Sequence, residues 1–245
     1  MSNEKNKNIF KIILLGDSQV GKTCLFHYFS GIKYKPNYIA TIGIDNVLKT
    51  YEITKEDKNY SVDLKIYDTS GQERYKSIAN SYYKRVNGAI FMYDVTNKNT
   101  FKNINNWILE LKNKSYSKNI ICGILGNKID KIGEIDEISD EKKTFQNEIS
   151  DEEIDELKEK LKDDDFNVEF EKISAKFGTN VDDFMKKYSE KLLENKLNKN
   201  EEKDENENEN NNRIIVVQNA KKNGESFCCL FKKNKINIIN RFINK

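Results

Sequence analysis

The stretch LLGDSQVGKTCLF, beginning at Leu14, places two glycines five positions apart, Gly16 and Gly21, and follows the second with Lys22 and Thr23. An apolar run precedes it and an apolar helical pattern follows, so the pattern GxxxxGK(S/T) falls at a strand-to-helix turn. Such a turn directs its backbone N–H groups inward, and the first turn of the helix adds a partial positive charge. A di- or triphosphate satisfies those donors. Gly21 allows the backbone to approach closely, Lys22 brings a point charge to the β- and γ-phosphates, and the Thr23 hydroxyl can ligate Mg²⁺.

The remaining apolar runs extend the same alternation of strand and helix. IFKIILLG from Ile9, YSVDLKIYDTSG from Tyr60, GAIFMYDVT from Gly88, IICGILGNKID from Ile120 and FEKISAK from Phe170 read as strands separated by longer mixed segments. Residues 89–93 are apolar at consecutive positions, as expected of a strand covered on both faces in a largely parallel sheet. Helices are expected over residues 22–29, 100–111, 151–161 and 181–197. Phe101, Ile104, Trp107, Ile108 and Leu111 recur at helical spacing, so Trp107 is read as core and given no ligand role.

At 245 residues the chain is long enough for one well-cored domain with tails. Its 42 basic and 40 acidic side chains nearly cancel, which gives no reason to expect a nucleic-acid partner. Hydrophobic content of 37% against 33% charged is low for a compact protein, and two segments account for the deficit. Residues 131–165 hold 15 acidic side chains against 6 lysines, and residues 198–212, NKNEEKDENENENNN, hold no apolar side chain. The first is expected to be an acidic surface insertion, about residues 131–150, leading into a helix; the second cannot offset its ordering entropy and is expected to be a flexible linker. The expected organisation is a flexible stretch over residues 1–8, a core domain over 9–197 and a variable tail over 198–245. Cys24 and Cys122 lie in apolar runs and Cys228 and Cys229 are adjacent, which resembles neither a disulfide framework nor a metal-ligand set. No apolar run approaches the roughly 20 residues of a spanning helix.

Three further motifs narrow the ligand. Asp68 in LKIYDTSGQE lies at the end of a strand, where ligand-facing groups of an open α/β sheet gather, and its carboxylate can hold Mg²⁺ directly or through water. The Gly71 N–H can meet a γ-phosphate, and Gln72 can orient a water for in-line attack. In NKID, Asp130 can accept hydrogen bonds from N1–H and the exocyclic amine of guanine, groups that adenine does not present together, while Asn127 and Lys128 brace the loop and cover the ring. The turn SAK, Ser174, Ala175 and Lys176, can add a backbone donor for the guanine oxygen. Four such elements in this order, each at a strand end, favour GTP over ATP.

With these residues the chain resembles the small GTPases of the Ras superfamily from Phe10 to about Leu197, and within them it is similar to the Rab family. TIGIDN at Thr41, RYKSIANSYYKRVNGAI from Arg74 and MYDVTNKNTF from Met92 carry the likeness. The resemblance implies the P-loop NTPase fold, a three-layer α/β/α sandwich around a mostly parallel six-stranded sheet, and a monomer. It implies a nucleotide site of Gly16, Asp17, Ser18, Gln19, Val20, Gly21, Lys22, Thr23, Cys24, Tyr34, Tyr38, Thr41, Gly71, Asn127, Lys128, Asp130, Ser174, Ala175 and Lys176. Thr41 would join Thr23 and Asp68 at Mg²⁺, Tyr34 would pack on the guanine ring, and Tyr38 would lie over the phosphates. The implied activity is Mg²⁺-dependent GTP hydrolysis that switches between GTP and GDP forms, with Gln72 aligning water and Lys22 offsetting charge. The implied partners are an exchange factor, a GTPase-activating protein, effectors and a peripheral membrane. The implied location is the cytoplasm, cycling to the cytoplasmic face of endomembranes: ER, Golgi, endosome or lipid droplet. NNWILEL and NKIDK resemble the Rab branch of endoplasmic reticulum and lipid droplets.

Departures from the family pattern matter as much. Gln19 replaces a residue that is often small in the family, which predicts a tighter loop near the phosphates. Rabs usually carry Phe where this chain has Asn46 and Trp where it has Tyr67, both beside Ile44 in the effector-facing patch, so different partners are expected. The segment between Thr41 and Asp68 is longer than usual, and the extra length is assigned to a TKEDKN hairpin. Rabs are prenylated at or near the C-terminus, but 16 residues follow Cys229. Trimming, S-acylation of Cys228 and Cys229, and a misread gene end each remain open. The closing LFKKNKINIINRFINK carries five basic residues and no acidic one, and reads equally as a basic amphipathic membrane segment or as a disordered tail. Two other functions stay open: a GTP-binding pseudo-GTPase scaffold with little hydrolysis, and a P-loop kinase or ATPase, which NKID disfavours.

Overall fold

The structure is a computed structural model and describes residues 7–34, 44–69, 82–117, 119–132, 149–163 and 167–199. Six strands form one sheet: β1 Lys7–Leu15, β2 Ile44–Lys55, β3 Lys58–Thr69, β4 Gly88–Asp94, β5 Ile121–Asn127 and β6 Asn167–Ile173. Their order is β2-β3-β1-β4-β5-β6, with β2 antiparallel to β3 and the other pairings parallel. Phe10 lies opposite Leu64, Leu14 opposite Ile90, Phe91 opposite Ile124 and Ile124 opposite Phe170. Every residue of β4 and β5 is buried, as their unbroken apolar runs require of strands covered on both faces. The expected mostly parallel six-stranded α/β sheet is therefore observed.

Five helices are described: α1 Lys22–Phe29, α2 Lys98–Lys102, α3 Ile104–Lys114, α4 Asp151–Asp163 and α5 over residues 181–199. On one face of the sheet Ile13, Phe91 and Ile124 pack with Phe101, Ile104, Ile108 and Leu111 of α2 and α3 and with Ile154, Leu157 and Leu161 of α4. On the other, α5 lies so close that Gly88 leaves room for the Tyr188 hydroxyl; a Cβ there would come within 2.2 Å of it. That buried hydroxyl donates to the Ile121 carbonyl at 2.7 Å. The sequence predicts one helix over 100–111; the structure has two, because Asn97 caps α2 by accepting the Asn99 N–H (3.1 Å) and the chain restarts at Asn103. Helix α4 opens with a reciprocal cap, Ser150 Oγ accepting the Glu153 N–H and the Glu153 carboxylate accepting the Ser150 N–H, each at 3.3 Å.

The TKEDKN segment is a two-residue hairpin between β2 and β3, with Glu56 (φ 50°) and Asp57 (φ 58°) both left-handed. That is the mirror-image turn whose twist suits paired strands, built here without glycine. The chain divides into two compact units, Met1–Glu194, which contains every described strand, and Asn195–Lys245, of which residues 195–199 are described and helical. No described helix is long and apolar enough to cross a membrane. The core of the acidic insertion, residues 133–148, lies outside the described residues.

Candidate functional site

The C-terminal ends of β1, β3, β4, β5 and β6 share one edge of the sheet, so Gly16, Asp68, Asp94, Asn127 and Ser174 converge there. Gly16 (φ 143°) and Gly21 (φ 103°) take backbone angles that favour glycine, and a Cβ on Gly21 would sit 2.1 Å from Asn127 Nδ2. The predicted close approach at Gly21 is thus imposed by Asn127 as well as by any ligand. Gln19 is also left-handed (φ 67°), with its side chain exposed rather than folded into the loop. Ser18 is exposed and Val20 buried.

The Lys22 ammonium is buried, 5% exposed, and donates to the carbonyls of Gly16 and Asp17, each at 2.8 Å. Burial lowers its pKa to about 8, with Asp68 and Asp17 acting in the opposite direction. Thr23 Oγ1 donates to Asp68 Oδ2 at 2.8 Å, and Asp68 is 1% exposed. A hydroxyl and a carboxylate side by side, with a phosphate-binding turn next to them, form the hard oxygen set that Mg²⁺ takes. The donor chemistry therefore fits that ion.

Asn127 joins three of the motifs. Its Nδ2 donates to the Val20 carbonyl at 2.8 Å and its Oδ1 accepts the Ala175 N–H at 2.9 Å, linking the glycine turn, NKID and SAK through one buried amide. Ser174 Oγ donates to Asp130 Oδ1 at 2.6 Å, which orients the carboxylate assigned to guanine. Lys128, left-handed at φ 74°, donates to Asp94. Burial works against the Asp94 charge, but Lys128 and Thr96 outweigh it and hold the carboxyl below its usual range. The Lys176 ammonium lies over two rings, 4.6 Å from the centre of Phe177 and 5.6 Å from that of Tyr34. Cys24 is half-buried beside this cluster; burial and then Asp130 push its thiol pKa up, so it is a poor nucleophile.

Of the effector-facing residues, Asn46 is exposed and lies opposite half-buried Tyr67 in the β2–β3 register. Ile44 opens β2 opposite Thr69. The Tyr67 ring is 5.3 Å from that of Tyr82, with the Lys11 and Lys65 ammonium groups 5.2 and 5.5 Å from it. Asn46 and Tyr67 thus sit beside a basic, aromatic surface. Tyr38, Thr41, Gly71, Gln72, Cys228 and Cys229 lie outside the described residues.

Sequence reasoning missed three residues. Asp94 lies in MYDVTNKNTF, which carries the family likeness but states no chemistry for it. Asn103 Nδ2 and Trp107 Nε1 both donate to the Asp17 carboxylate, each at 2.8 Å. Trp107 does pack against the core as expected, but its N–H reaches the glycine turn. The signal was present as two N–H donors four residues apart on one helix face.

Residues 11–194 match the sequence profile of the Ras family. The chain is 33% identical over 222 residues to Ras-related protein Rab-8B of Pongo abelii, an alignment covering 91% of this chain and 96% of that protein. It is 36% identical over 197 residues to Ras-related protein Rab-8 of Diplobatis ommata, covering 77% and 83%. It is 35% identical over 174 residues to GTP-binding protein ypt1 of Schizosaccharomyces pombe, covering 71% and 75%.

Proposed function

Because the chain belongs to the Rab family of Ras-type small GTPases and is a GTP hydrolase of membrane traffic, we propose that the sheet edge described above is its nucleotide site. The observation that carries this is Asn127, whose one amide ties the glycine turn to both base-recognition loops. Residues 16–23 wrap the phosphates with backbone N–H groups, and Lys22 leaves its two carbonyls to meet the β- and γ-oxygens. Thr23 and Asp68, joined by Thr41, would hold Mg²⁺, which would neutralise phosphate charge. Asp130, oriented by Ser174, reads guanine, Asn127 and Lys128 brace the loop and cover the ring, and Tyr34 packs on it. A guanine oxygen reaching the SAK turn shares the Ala175 N–H with Asn127. Gly71 contacts the γ-phosphate, Tyr38 covers the phosphates and Gln72 aligns the attacking water; Cys24 lines the pocket.

Catalysis in this arrangement is positioning and charge stabilisation, and the motifs GDSQVGKT, DTSGQ, NKID and SAK contain no arginine. Turnover is slow until an activating protein supplies that charge, an effect worth roughly 10³ to 10⁵ in rate in GTPases of this type. An exchange factor and effectors complete the cycle at an endomembrane, with the patch of Ile44, Asn46 and Tyr67 facing the effector. The NNWILEL and NKIDK segments favour endoplasmic reticulum or lipid droplets, and Cys228 and Cys229 are the candidate lipid attachment points.

Phosphate release measured on wild type, Gln72→Leu and Thr23→Asn tests the assignment. Gln72→Leu is expected to hold GTP without hydrolysing it, and Thr23→Asn to retain GDP or no nucleotide. Hydrolysis by Gln72→Leu at the wild-type rate would remove Gln72 from the proposed role.

A further inference from the structure

Asp17 is an awkward residue for a phosphate-binding turn. Its carboxylate stands between Gly16 and Ser18, where a free negative charge would repel the ligand that the surrounding N–H groups invite. In the structure both of its oxygens are taken: Oδ2 accepts from Asn103 Nδ2 and Oδ1 from Trp107 Nε1, each at 2.8 Å. The donors come from one helix, α3, 86 and 90 residues away in sequence. Asn103 occupies the N-cap position of α3 yet makes no side-chain cap bond to its own helix. An N-cap Asn commonly accepts one of the first free N–H groups of its helix on Oδ1; here Oδ1 accepts instead from the Asn106 side-chain amide at 3.4 Å, and Nδ2 is given to Asp17. The Asp17 backbone carbonyl, meanwhile, accepts from the Lys22 ammonium. One residue therefore connects α3 on its side-chain end to the phosphate-binding lysine on its backbone end.

We propose that Asn103 and Trp107 are positioning residues for the nucleotide, acting through Asp17: they draw its carboxylate toward α3, set the path of the turn, and make the Trp107 indole N–H respond to whether the turn is filled. This rests on the assignment of residues 16–23 to the phosphates. Two hydrogen bonds to a charged acceptor fix the carboxylate's direction, and with it the peptide planes on either side of Asp17. When a phosphate draws Lys22 off the Asp17 carbonyl, the same peptide shifts and the bond to the indole changes length. Trp107 is the only tryptophan in the chain, so its signal has one source.

The test uses the full chain loaded with a fluorescent GDP analogue and Mg²⁺, with release followed in excess GDP. Trp107→Phe keeps an aromatic ring against the core while removing the N–H; Asn103→Asp sets a second carboxylate against Asp17. Each is expected to speed release about tenfold, the equivalent of one charge-assisted hydrogen bond. The exchange Asp17→Asn with Asn103→Asp restores a donor and acceptor to both contacts, because the amide now at position 17 can donate to the carboxylate now at position 103 and accept from Trp107. That double variant is expected to release more slowly than Asn103→Asp alone, a rescue that general destabilisation would not produce. The ¹⁵N indole resonance of wild-type Trp107 is expected to shift when GDP and Mg²⁺ are added. Wild-type release rates in both single variants, no rescue by the exchange, or an unmoved indole resonance would each overturn the proposal while leaving the nucleotide assignment intact. Failure of the wild type itself to hold GDP would overturn both.

Discussion

Gly21 carries two constraints at once, a left-handed backbone and an asparagine amide where a methyl group would go. Gly21→Ala must both strain the turn and push Asn127 away from Val20 and Ala175. Together these cost on the order of 3 kcal/mol, so GDP affinity measured by calorimetry is expected to fall more than a hundredfold. Asp130 tests base choice from the ligand's side. An asparagine at position 130 presents a donor where guanine offers its amine, and xanthine carries a carbonyl at that place. Asp130→Asn is therefore expected to prefer xanthosine to guanosine nucleotides, and unchanged preference would detach Asp130 from base recognition. Ser174→Ala removes the hydroxyl that orients Asp130 at 2.6 Å. A several-fold weaker GDP affinity with unaltered phosphate-only binding is the expected pattern.

Among the elements, the β2–β3 hairpin shows what sequence could and could not convey. Its position in TKEDKN was legible because polar residues interrupt two alternating runs. Its turn type was not, because Glu56 gives no sign of a left-handed backbone and no glycine stands in the turn, although Asp57 tolerates that region. Glu56→Asn with Asp57→Gly supplies residues suited to that geometry. The pair is expected to stabilise the domain by about 1 kcal/mol, read as a rise of about 2–4 °C in Tm. A lower Tm would contradict the turn. The strands β4 and β5 were plain from runs of consecutive apolar residues, and the start of α4 was legible from Ser150 and Glu153, the two ends of a capping box. The break at Asn103 was hidden, because Asn97 and Asn103 are both competent caps and only tertiary packing assigns Asn103 its partner in the glycine turn. Tyr188→Phe tests how α5 is seated: it leaves the Ile121 carbonyl without its 2.7 Å donor and is expected to cost about 1 kcal/mol in a urea melt.

For the whole molecule, the site was easier to read than the surroundings that tune it. Glycine spacing, Asp68, NKID and SAK each state their chemistry in a few adjacent residues, whereas the Val20 and Ala175 partners of the Asn127 amide, the reach of the Trp107 indole and the role of the Asp94 carboxylate emerge only when segments far apart in sequence end side by side. The parallel order of β1, β3, β4, β5 and β6 is what brings them together. Membrane attachment rests on chemistry of the tail and is decided by mass spectrometry of protein isolated from its own cells, where lipid on Cys228 or Cys229 is the expected result and an unmodified, full-length, wholly soluble chain the contrary one. The nucleotide decides everything else. Calorimetry of the nucleotide-free protein with Mg²⁺ present, titrated in parallel with GDP and ADP, is expected to show GDP binding at least a thousandfold tighter, since adenine leaves the Asp130 carboxylate without the two donors that guanine offers it. Equal affinity for the two, or no binding of either, would contradict the assignment of this sheet edge to a guanine nucleotide.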